Sequence, residues 1–187
     1  MRFAGLALAG VLLAACGSTN PDAAQLNTAV QQLHQGQVVD SVPCLTADLP
    51  TEHMHVHLGI YVDGQEVKVP AGIGVGRPWG FDNTGFLATG SCFAWMHTHD
   101  SSGVIHIVTP GQGMFKLGQL FSLWGQPLGP DGAFDYRGTP RVLLDGRPYS
   151  GDPRVVALLP FENIVIELGK PPAVPPAGIY DFGTLRR

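Results

Sequence analysis

The chain has 187 residues, of which 44% are hydrophobic, and a formal net charge of −4. This length and apolar content suffice for one domain with a hydrophobic core, while a mildly acidic balance without basic runs argues against nucleic-acid binding and against a polybasic membrane-binding patch. The 16 prolines and 25 glycines indicate many turns and few long helices.

The chain begins with the pattern of an export signal. Arg2 precedes an apolar run that is too short to span a bilayer as a stable helix. The run ends in Leu-Ala-Ala-Cys at Leu13–Cys16, which resembles a bacterial lipobox, the pattern in which signal peptidase cuts before the cysteine and a diacylglycerol is attached to its sulfur. We therefore expect residues 1–15 to be removed and Cys16 to anchor the protein in the cell envelope, facing the periplasm or the cell exterior.

Residues 16–40 form a predicted spacer between the lipid and the domain. The segment 20–22 (Asn-Pro-Asp) combines a capping side chain, a proline at the first helical position and an acid in the first turn. Apolar residues follow at helical spacing from Leu26 to Leu33, which predicts a short helix. His34 lies in this polar segment, and we expect it to be solvated.

The remaining cysteines of an exported chain meet an oxidising compartment. With Cys16 lipidated, Cys44 and Cys92 are the pair left, and such a pair usually forms a disulfide. The alternative is that Cys92, which precedes His97 by five residues, is a soft metal ligand.

Residues 41–170 form the predicted histidine-rich β-domain, and its longest strand carries three histidines. In the segment 52–62 histidines and apolar residues alternate, which is typical of a half-buried strand. The following Asp63-Gly64 favours a type I′ hairpin, with Val67 opposite Ile60 on the apolar face. The other face of the strand carries His53, His55 and His57.

A second histidine cluster lies on a predicted strand pair. Segment 91–99 places His97 and His99 on one face, residues 100–103 have turn chemistry, and 104–108 returns as a β-branched strand with His106. A loop of two or four residues would set His106 opposite His97, whereas a type I turn with a glycine bulge would point it the other way. Both turns suit these residues, and the first brings three imidazoles together.

Clustered neutral imidazoles indicate a transition-metal site, because each ring offers one nitrogen lone pair at about 2 Å from the ion. We expect one site that binds copper or zinc. The predicted ligands are His53, His55, His57, His97, His99 and His106. Candidate soft ligands are Met54 and Met96, and candidate carboxylates that accept hydrogen bonds from the rings are Glu52 and Asp100.

Four motifs carry a resemblance to known sequences. They are His-x-His-x-His-Leu at 53–58, His-Thr-His-Asp at 97–100, Gly-x-Ile-His-Ile at 103–107 and Leu-Gly-Gln-x-Phe-x-x-Trp-Gly at 117–125. This set resembles a group of exported, histidine-rich bacterial and archaeal proteins of uncharacterised activity. The resemblance covers the middle of the chain and implies that the histidines belong together, but it implies no activity.

The remaining elements are shorter. Residues 70–90 read as a long glycine-rich loop with one strand at 72–75, and apolar residues at 117, 120, 121 and 124 predict a short amphipathic helix. A second hairpin is predicted at Asp145-Gly146, with two further strands at 155–159 and 162–168. The proline-rich tail, 171–187, is predicted to be an extended strap or a disordered end.

Together these patterns predict one all-β domain, a sandwich or small barrel of about seven to nine strands with one or two short helices. The function they favour is a cell-envelope lipoprotein that binds copper or zinc, for sequestration or for exchange with a metal-donor or metal-acceptor protein. Two alternatives stay open. One is a metalloenzyme whose three-histidine metal activates water or oxygen, and the other is an envelope binding module whose histidines are structural.

Overall fold

The computed structural model describes residues 20–46, 52–111, 113–173 and 180–186, so the predicted leader and lipobox lie outside the described residues. Strands predominate and form several sheets, and within these ranges no sheet closes into a barrel. The predicted all-β class is therefore confirmed, and the arrangement fits a sandwich. The described residues include no helix long and apolar enough to cross a membrane.

The strands are mostly short, and one α-helix lies among them. In chain order the elements are β1 (Val38–Val39), β2 (Val42–Leu45), β3 (Glu52–Val62), β4 (Gln65–Val67), β5 (Gly80–Phe81), β6 (Leu87–Thr89), β7 (Phe93–Ala94), β8 (Met96–His97), β9 (Val104–Thr109), α1 (Leu117–Trp124), β10 (Leu128–Gly129), β11 (Gly132–Ala133), β12 (Tyr136–Arg137), β13 (Arg141–Leu144), β14 (Arg147–Tyr149) and β15 (Asn163–Leu168). Two 3₁₀ turns cover Pro153–Val155 and Gly183–Arg186.

Seven strands form the main sheet, in the order β14-β13-β15-β3-β9-β8, with β4 also paired to β3. The long strand β3 runs parallel to β15 on one side and antiparallel to β9 and β4 on the other. Because side chains alternate between the two faces, a slip of one residue would move the whole apolar set of β3 out of the core. Pairing on both sides of β3 holds it against such a slip. This register fixes which face carries the histidines.

Both predicted Asp-Gly hairpins are confirmed. Asp63 and Gly64 adopt φ values of 48° and 82°, and they set Val67 opposite Ile60 as the sequence predicts. The same geometry recurs at 145–146, with φ values of 47° and 77°, between β13 and β14. Positive φ at both central residues is what a type I′ turn requires, and its twist matches that of the flanking strands.

The apolar face of β3 forms the core together with α1. Val56, Leu58 and Ile60 are at most 1% exposed, and they alternate with the histidines as the period of two predicts. The helix has the predicted bounds, and it ends at Gly125, whose φ of 80° suits a glycine. Its apolar side is buried, with Trp124 fully inaccessible. The histidine face of the sheet is thus the one left for other chemistry.

The predicted spacer helix is wrong for the described residues 20–40, which contain turns at 23–25, 35–36 and 40 and the short strand β1. Asp22 accepts a hydrogen bond from the amide of Gln25, but the helix does not continue. Gln31 instead donates its backbone amide to the Trp124 carbonyl at 3.0 Å and its side-chain amide to the Leu123 carbonyl at 2.9 Å. These bonds satisfy carbonyls at the end of α1 that have no partner within the helix, so tertiary contacts outweigh helix propensity.

Two other predicted strands are wrong. Residues 153–155 form a 3₁₀ turn because Pro153 cannot donate to a strand ladder and Asp152 caps the turn, and what remains of the strand at 155–159 is one bridge at Ala157. Residues 72–74 are turns because Gly72 and Gly74 adopt φ values of 86° and 72°, and Val75 makes a single bridge to Phe93. The predicted strand at 91–99 is present as two pieces, β7 and β8.

A disulfide joins Cys44 and Cys92, as the sequence predicts. Both cysteines are 1% exposed, and they lie 48 residues apart in the chain. The alternative prediction, that Cys92 binds metal, is therefore wrong, because a sulfur in a disulfide has no thiolate to offer. Next to the bridge, Cys44 in β2 pairs with Ala94 in β7, which holds the entry to β8 in place.

The described end of the tail, residues 180–186, packs against the histidine-bearing sheet. The Tyr180 amide donates a hydrogen bond to the Asn163 side chain at 2.6 Å, and Phe182 is 1% exposed. This described part ends in the 3₁₀ turn Gly183–Arg186, and the prediction of a strap or a disordered end for the whole tail stays a prediction. The boundaries of the leader, the spacer and the tail stay predictions.

Candidate metal centre

Three histidines form one row across three neighbouring strands. His55 in β3 pairs with His106 in β9, and His106 pairs in turn with His97 in β8. The structure thus selects the turn that sets His106 opposite His97. Directly paired residues have Cβ atoms about 5 Å apart, and the ring centroids of His55 and His106 are 4.6 Å apart.

His53 lies beside two members of this row, and with His55 and His106 it forms a group of three histidines. The nearest ring nitrogens of His53, His55 and His106 all lie within 4.8 Å of one another, so this group could hold a metal ion. His53 Nε2 lies 3.3 Å from His106 Nδ1. Neither ring nitrogen of His55 has a hydrogen-bond partner among the described residues, although the side chain is only 5% exposed. Buried polar atoms are nearly always bonded, so these two nitrogens are available to an ion. The backbone of Leu185 also acts on this ring and partly offsets the lowering of its pKa by burial.

His97, at the far end of this row, and the nearby His99 lie on the other side of His106. The ring of His106 lies 5.8 Å from that of His97 and 4.6 Å from that of His99. His97 Nδ1 donates to the Ala94 carbonyl at 2.8 Å, and His99 Nδ1 donates to the Leu87 carbonyl at 2.5 Å. A hydrogen bond from one ring nitrogen to a carbonyl fixes the tautomer and aims the other nitrogen, an arrangement that is common for metal-bound histidines.

Aromatic side chains enclose this second pair of rings. Phe86 stacks on His99 with centroids 4.2 Å apart and ring planes 9° apart. Phe93 meets the ring of His97 edge-on at 5.1 Å. The sequence analysis missed both phenylalanines and the two carbonyls that orient the rings. Their signal in the sequence is weak, because Phe86 lies in a glycine-rich loop. Every residue has a backbone carbonyl, so no amino-acid type marks the two that accept from the rings.

The surroundings keep these histidines neutral. Burial lowers the pKa of His97 to about 3, with the neighbouring His99 adding to the effect. Burial, followed by the charges of His99 and His97, lowers the pKa of His106 to about 2. Burial also lowers the pKa values of His55 and His99. Because a metal ion binds the neutral ring, the cluster is ready to bind at neutral pH.

Acidification is expected to destabilise the metal-free protein. The pKa of His97 is about 3 in the folded state against an ordinary value of 6.5. Between these values the unfolded chain binds more protons than the folded one, so the free energy of unfolding falls as the pH falls. His97 alone contributes about 1 kcal/mol per pH unit over this window. Its contribution is fully present above the unfolded value and is lost below it.

Urea unfolding of the metal-free protein at several pH values between about 7 and 5 measures this slope. The matched control is His97→Gln, which removes the titrating ring and should reduce the mean slope over this range by about 1 kcal/mol per pH unit. Equal slopes for the wild type and the variant would contradict the assignment.

The structure leaves His57 out of the cluster, although it lies on the same face of β3. Its Nε2 donates to the Ser102 carbonyl at 3.1 Å, and its ring stacks on Tyr180 with centroids 4.4 Å apart. His53 stands at the same spacing from His55 and its ring turns toward the cluster, so the partners of His57, and not its position along the strand, keep it out. Its contacts are those of a histidine that holds the tail in place.

The other candidates from the sequence lie away from the cluster or have different partners. Met96 is fully buried and Met54 packs against the core, because the period of two points both to the apolar face. Glu52 lines a cavity on the Met54 side of the strand. Asp100 accepts a hydrogen bond from the Ser102 amide at 2.9 Å, as in a turn, and its charge raises the pKa of His99. The structure thus places Met54 and Met96 on the apolar side of their strands, and the role of Glu52 stays a prediction.

The cluster therefore offers nitrogen donors from five histidines, four on adjacent strands and one two residues beyond the end of β8. These are His53, His55, His97, His99 and His106. Its exposure is uneven, since His55 and His97 are 5% exposed whereas His53 is open to solvent. An ion or a partner therefore reaches the cluster most easily at His53. Comparisons of the chain with protein-family models, with curated proteins and with solved structures found no match.

Proposed function

We propose that this protein is a cell-envelope lipoprotein whose β-domain binds copper or zinc through its clustered histidines, for sequestration or for delivery. The observation that carries the proposal is the group His53, His55 and His106, whose ring nitrogens lie within 4.8 Å of one another. Three imidazoles on paired strands match the needs of a divalent transition metal.

The donor set supports copper or zinc over other metals. Imidazole nitrogen suits both ions, and Cu²⁺ binds such sites more tightly than Zn²⁺ in the usual affinity order. Hard cations such as Mg²⁺ and Ca²⁺ prefer oxygen ligands, and the donors gathered here are nitrogens. The buried disulfide and the core-facing Met96 place those sulfurs away from the histidine cluster.

The site's position supports metal exchange with a partner. His53 is exposed at the edge of the group, while His55 is buried behind it. An ion held this way stays accessible to a metal-donor or metal-acceptor protein from one side. The proposed lipid on Cys16 would keep the domain at the membrane surface, where such partners reach it.

A metalloenzyme is the second candidate, and one observation favours it. A cavity of about 500 Å³ adjoins the site, and its lining includes Glu52, His53, Met54 and Phe115. A metal at His53 could activate water at this cavity, with the Glu52 carboxylate as a base. Release of metal to a competing chelator separates the two candidates, because a delivery site exchanges its ion readily and a catalytic site retains it.

The test of metal binding compares three single substitutions. We expect His55→Ala and His97→Ala to lower the affinity for Cu²⁺ or Zn²⁺, measured by titration against a chelating indicator. His34→Ala is the matched control, because this exposed histidine lies in the N-terminal segment away from the sheet. Equal binding by the wild type and all three variants would sink the site assignment.

A further inference from the structure

Two ring nitrogens outside the three-histidine group face each other at close range. His97 Nε2 and His99 Nε2 are 3.1 Å apart. Both side chains lie at the end of β8, where the chain leaves the sheet. The separation equals that of a hydrogen bond, but whether such a bond forms depends on which nitrogens carry hydrogen.

The carbonyl partners settle which nitrogen of each ring carries the hydrogen. His97 Nδ1 lies 2.8 Å from the Ala94 oxygen, and His99 Nδ1 lies 2.5 Å from the Leu87 oxygen. A carbonyl oxygen only accepts, so each Nδ1 must donate. In the neutral ring the other nitrogen then has no hydrogen. Two nitrogens without hydrogen therefore lie 3.1 Å apart, which is unfavourable unless a positive charge lies next to both.

A shared proton is a poor candidate for that charge. It would turn one ring into an imidazolium, although His97 is only 5% exposed and aromatic rings flank both histidines. The neighbouring Asp100 accepts a hydrogen bond at Oδ1 from the Ser102 amide, so that oxygen is held in the turn. A buried charge without a paired anion is strongly disfavoured.

A metal ion fits the geometry. Two nitrogens that each lie about 2.0 Å from an ion and 3.1 Å from each other subtend an angle of about 100° at the ion. This angle falls between the values for square and tetrahedral coordination. The carbonyl-held Nδ1 atoms provide the orientation that bound imidazoles need.

We propose that the histidine cluster holds two metal ions, one at His53, His55 and His106 and a second between the Nε2 atoms of His97 and His99. The proposal rests on the proposed function and changes its expected stoichiometry from one ion to two. Copper and zinc suit the second position for the same reason as the first, because both accept imidazole nitrogen.

His106 lies between the two ions. Its Nδ1 is 3.3 Å from His53 Nε2, while its ring is 4.6 Å from the ring of His99. The second ion has two histidine ligands of its own against three for the first. It therefore binds more weakly and completes its coordination with water. This difference lets a chain release one ion while it keeps the other.

Native mass spectrometry of the purified protein, made without a histidine tag and titrated with Cu²⁺ or Zn²⁺, tests the proposal. The wild type is expected to bind two ions in succession. His97→Ala and His99→Gln should each bind one ion, and His53→Ala should lose the tighter ion. His34→Ala and His57→Gln are controls outside the cluster and should still bind two. Circular dichroism checks that each variant is folded.

The possible outcomes separate this inference from the proposed function. A wild type that saturates at one ion overturns the second site but leaves metal binding intact. A His97→Ala or His99→Gln protein that is folded and still binds two ions overturns the assignment of the ligands. A wild type that binds no ion overturns both proposals. For copper, electron paramagnetic resonance adds a readout, because two nearby Cu²⁺ ions broaden each other's signal and the His99→Gln protein should lose that broadening.

Discussion

His106→Ala is expected to lower the affinity for the tighter metal ion by about 100-fold or more. His106 Nδ1 lies 3.3 Å from His53 Nε2, and its ring lies 4.6 Å from that of His55, so the substitution removes one of three nitrogens. Loss of a group that only orients a ligand already costs about 10- to 100-fold in affinity, and the loss of a ligand costs at least the upper end. Competition with a chelator of known affinity measures the change.

The same substitution should also weaken the proposed second ion, because the ring of His106 lies 4.6 Å from that of His99. We therefore expect His106→Ala to have a larger effect than any other single histidine substitution. His57→Gln is the matched control, since His57 lies on the same face of β3 but bonds to Ser102. A folded His106→Ala protein with wild-type affinity would show that the row does not bind metal.

Replacement of both Cys44 and Cys92 with Ser is expected to lower the free energy of unfolding by about 4 kcal/mol. The bridge spans 48 residues and constrains the unfolded chain over that length. Denaturant unfolding of the double variant and of the oxidised wild type measures the difference. Wild-type protein treated with a reductant is the control, because it loses the bond without a change of sequence.

Loss of the bridge should reach the metal centre as well. Cys44 pairs with Ala94, and the Ala94 carbonyl orients His97. The double variant should therefore lose more affinity for the second ion than for the first, when each is compared with the wild type. A loss of less than about 1 kcal/mol in the free energy of unfolding would contradict the expected stabilisation. It would mean that the unfolded segment between the two cysteines is already compact without the disulfide.

Local patterns predicted much of this fold. The alternation in β3, both Asp-Gly turns and the helix α1 depend on neighbours within a few residues, and all are confirmed. The disulfide followed from the cysteine count and the expected compartment, and it is confirmed. The strand, the turns and the helix are each specified by residues that lie close together in the chain. The disulfide is specified because only one pair of cysteines is left after Cys16.

Long-range contacts decided what the sequence left open or predicted wrongly. The register that places His106 opposite His97 depends on how the 98–103 loop packs, and two turns suited its residues. The expected spacer helix is replaced by bonds from Gln31 to the end of α1, nearly a hundred residues away along the chain. His57 has the spacing of a ligand, yet Ser102 and Tyr180 occupy its ring. None of these partners can be read from the local pattern.

The central claim, that the clustered histidines bind a transition metal, is tested most directly by the metal content of the mature protein. The protein is purified without a histidine tag and dialysed, and its metals are then measured by elemental mass spectrometry. The account predicts at least about one equivalent of copper or zinc per chain. No bound metal, together with no uptake when Cu²⁺ or Zn²⁺ is added back, would contradict it and assign the histidines a structural role.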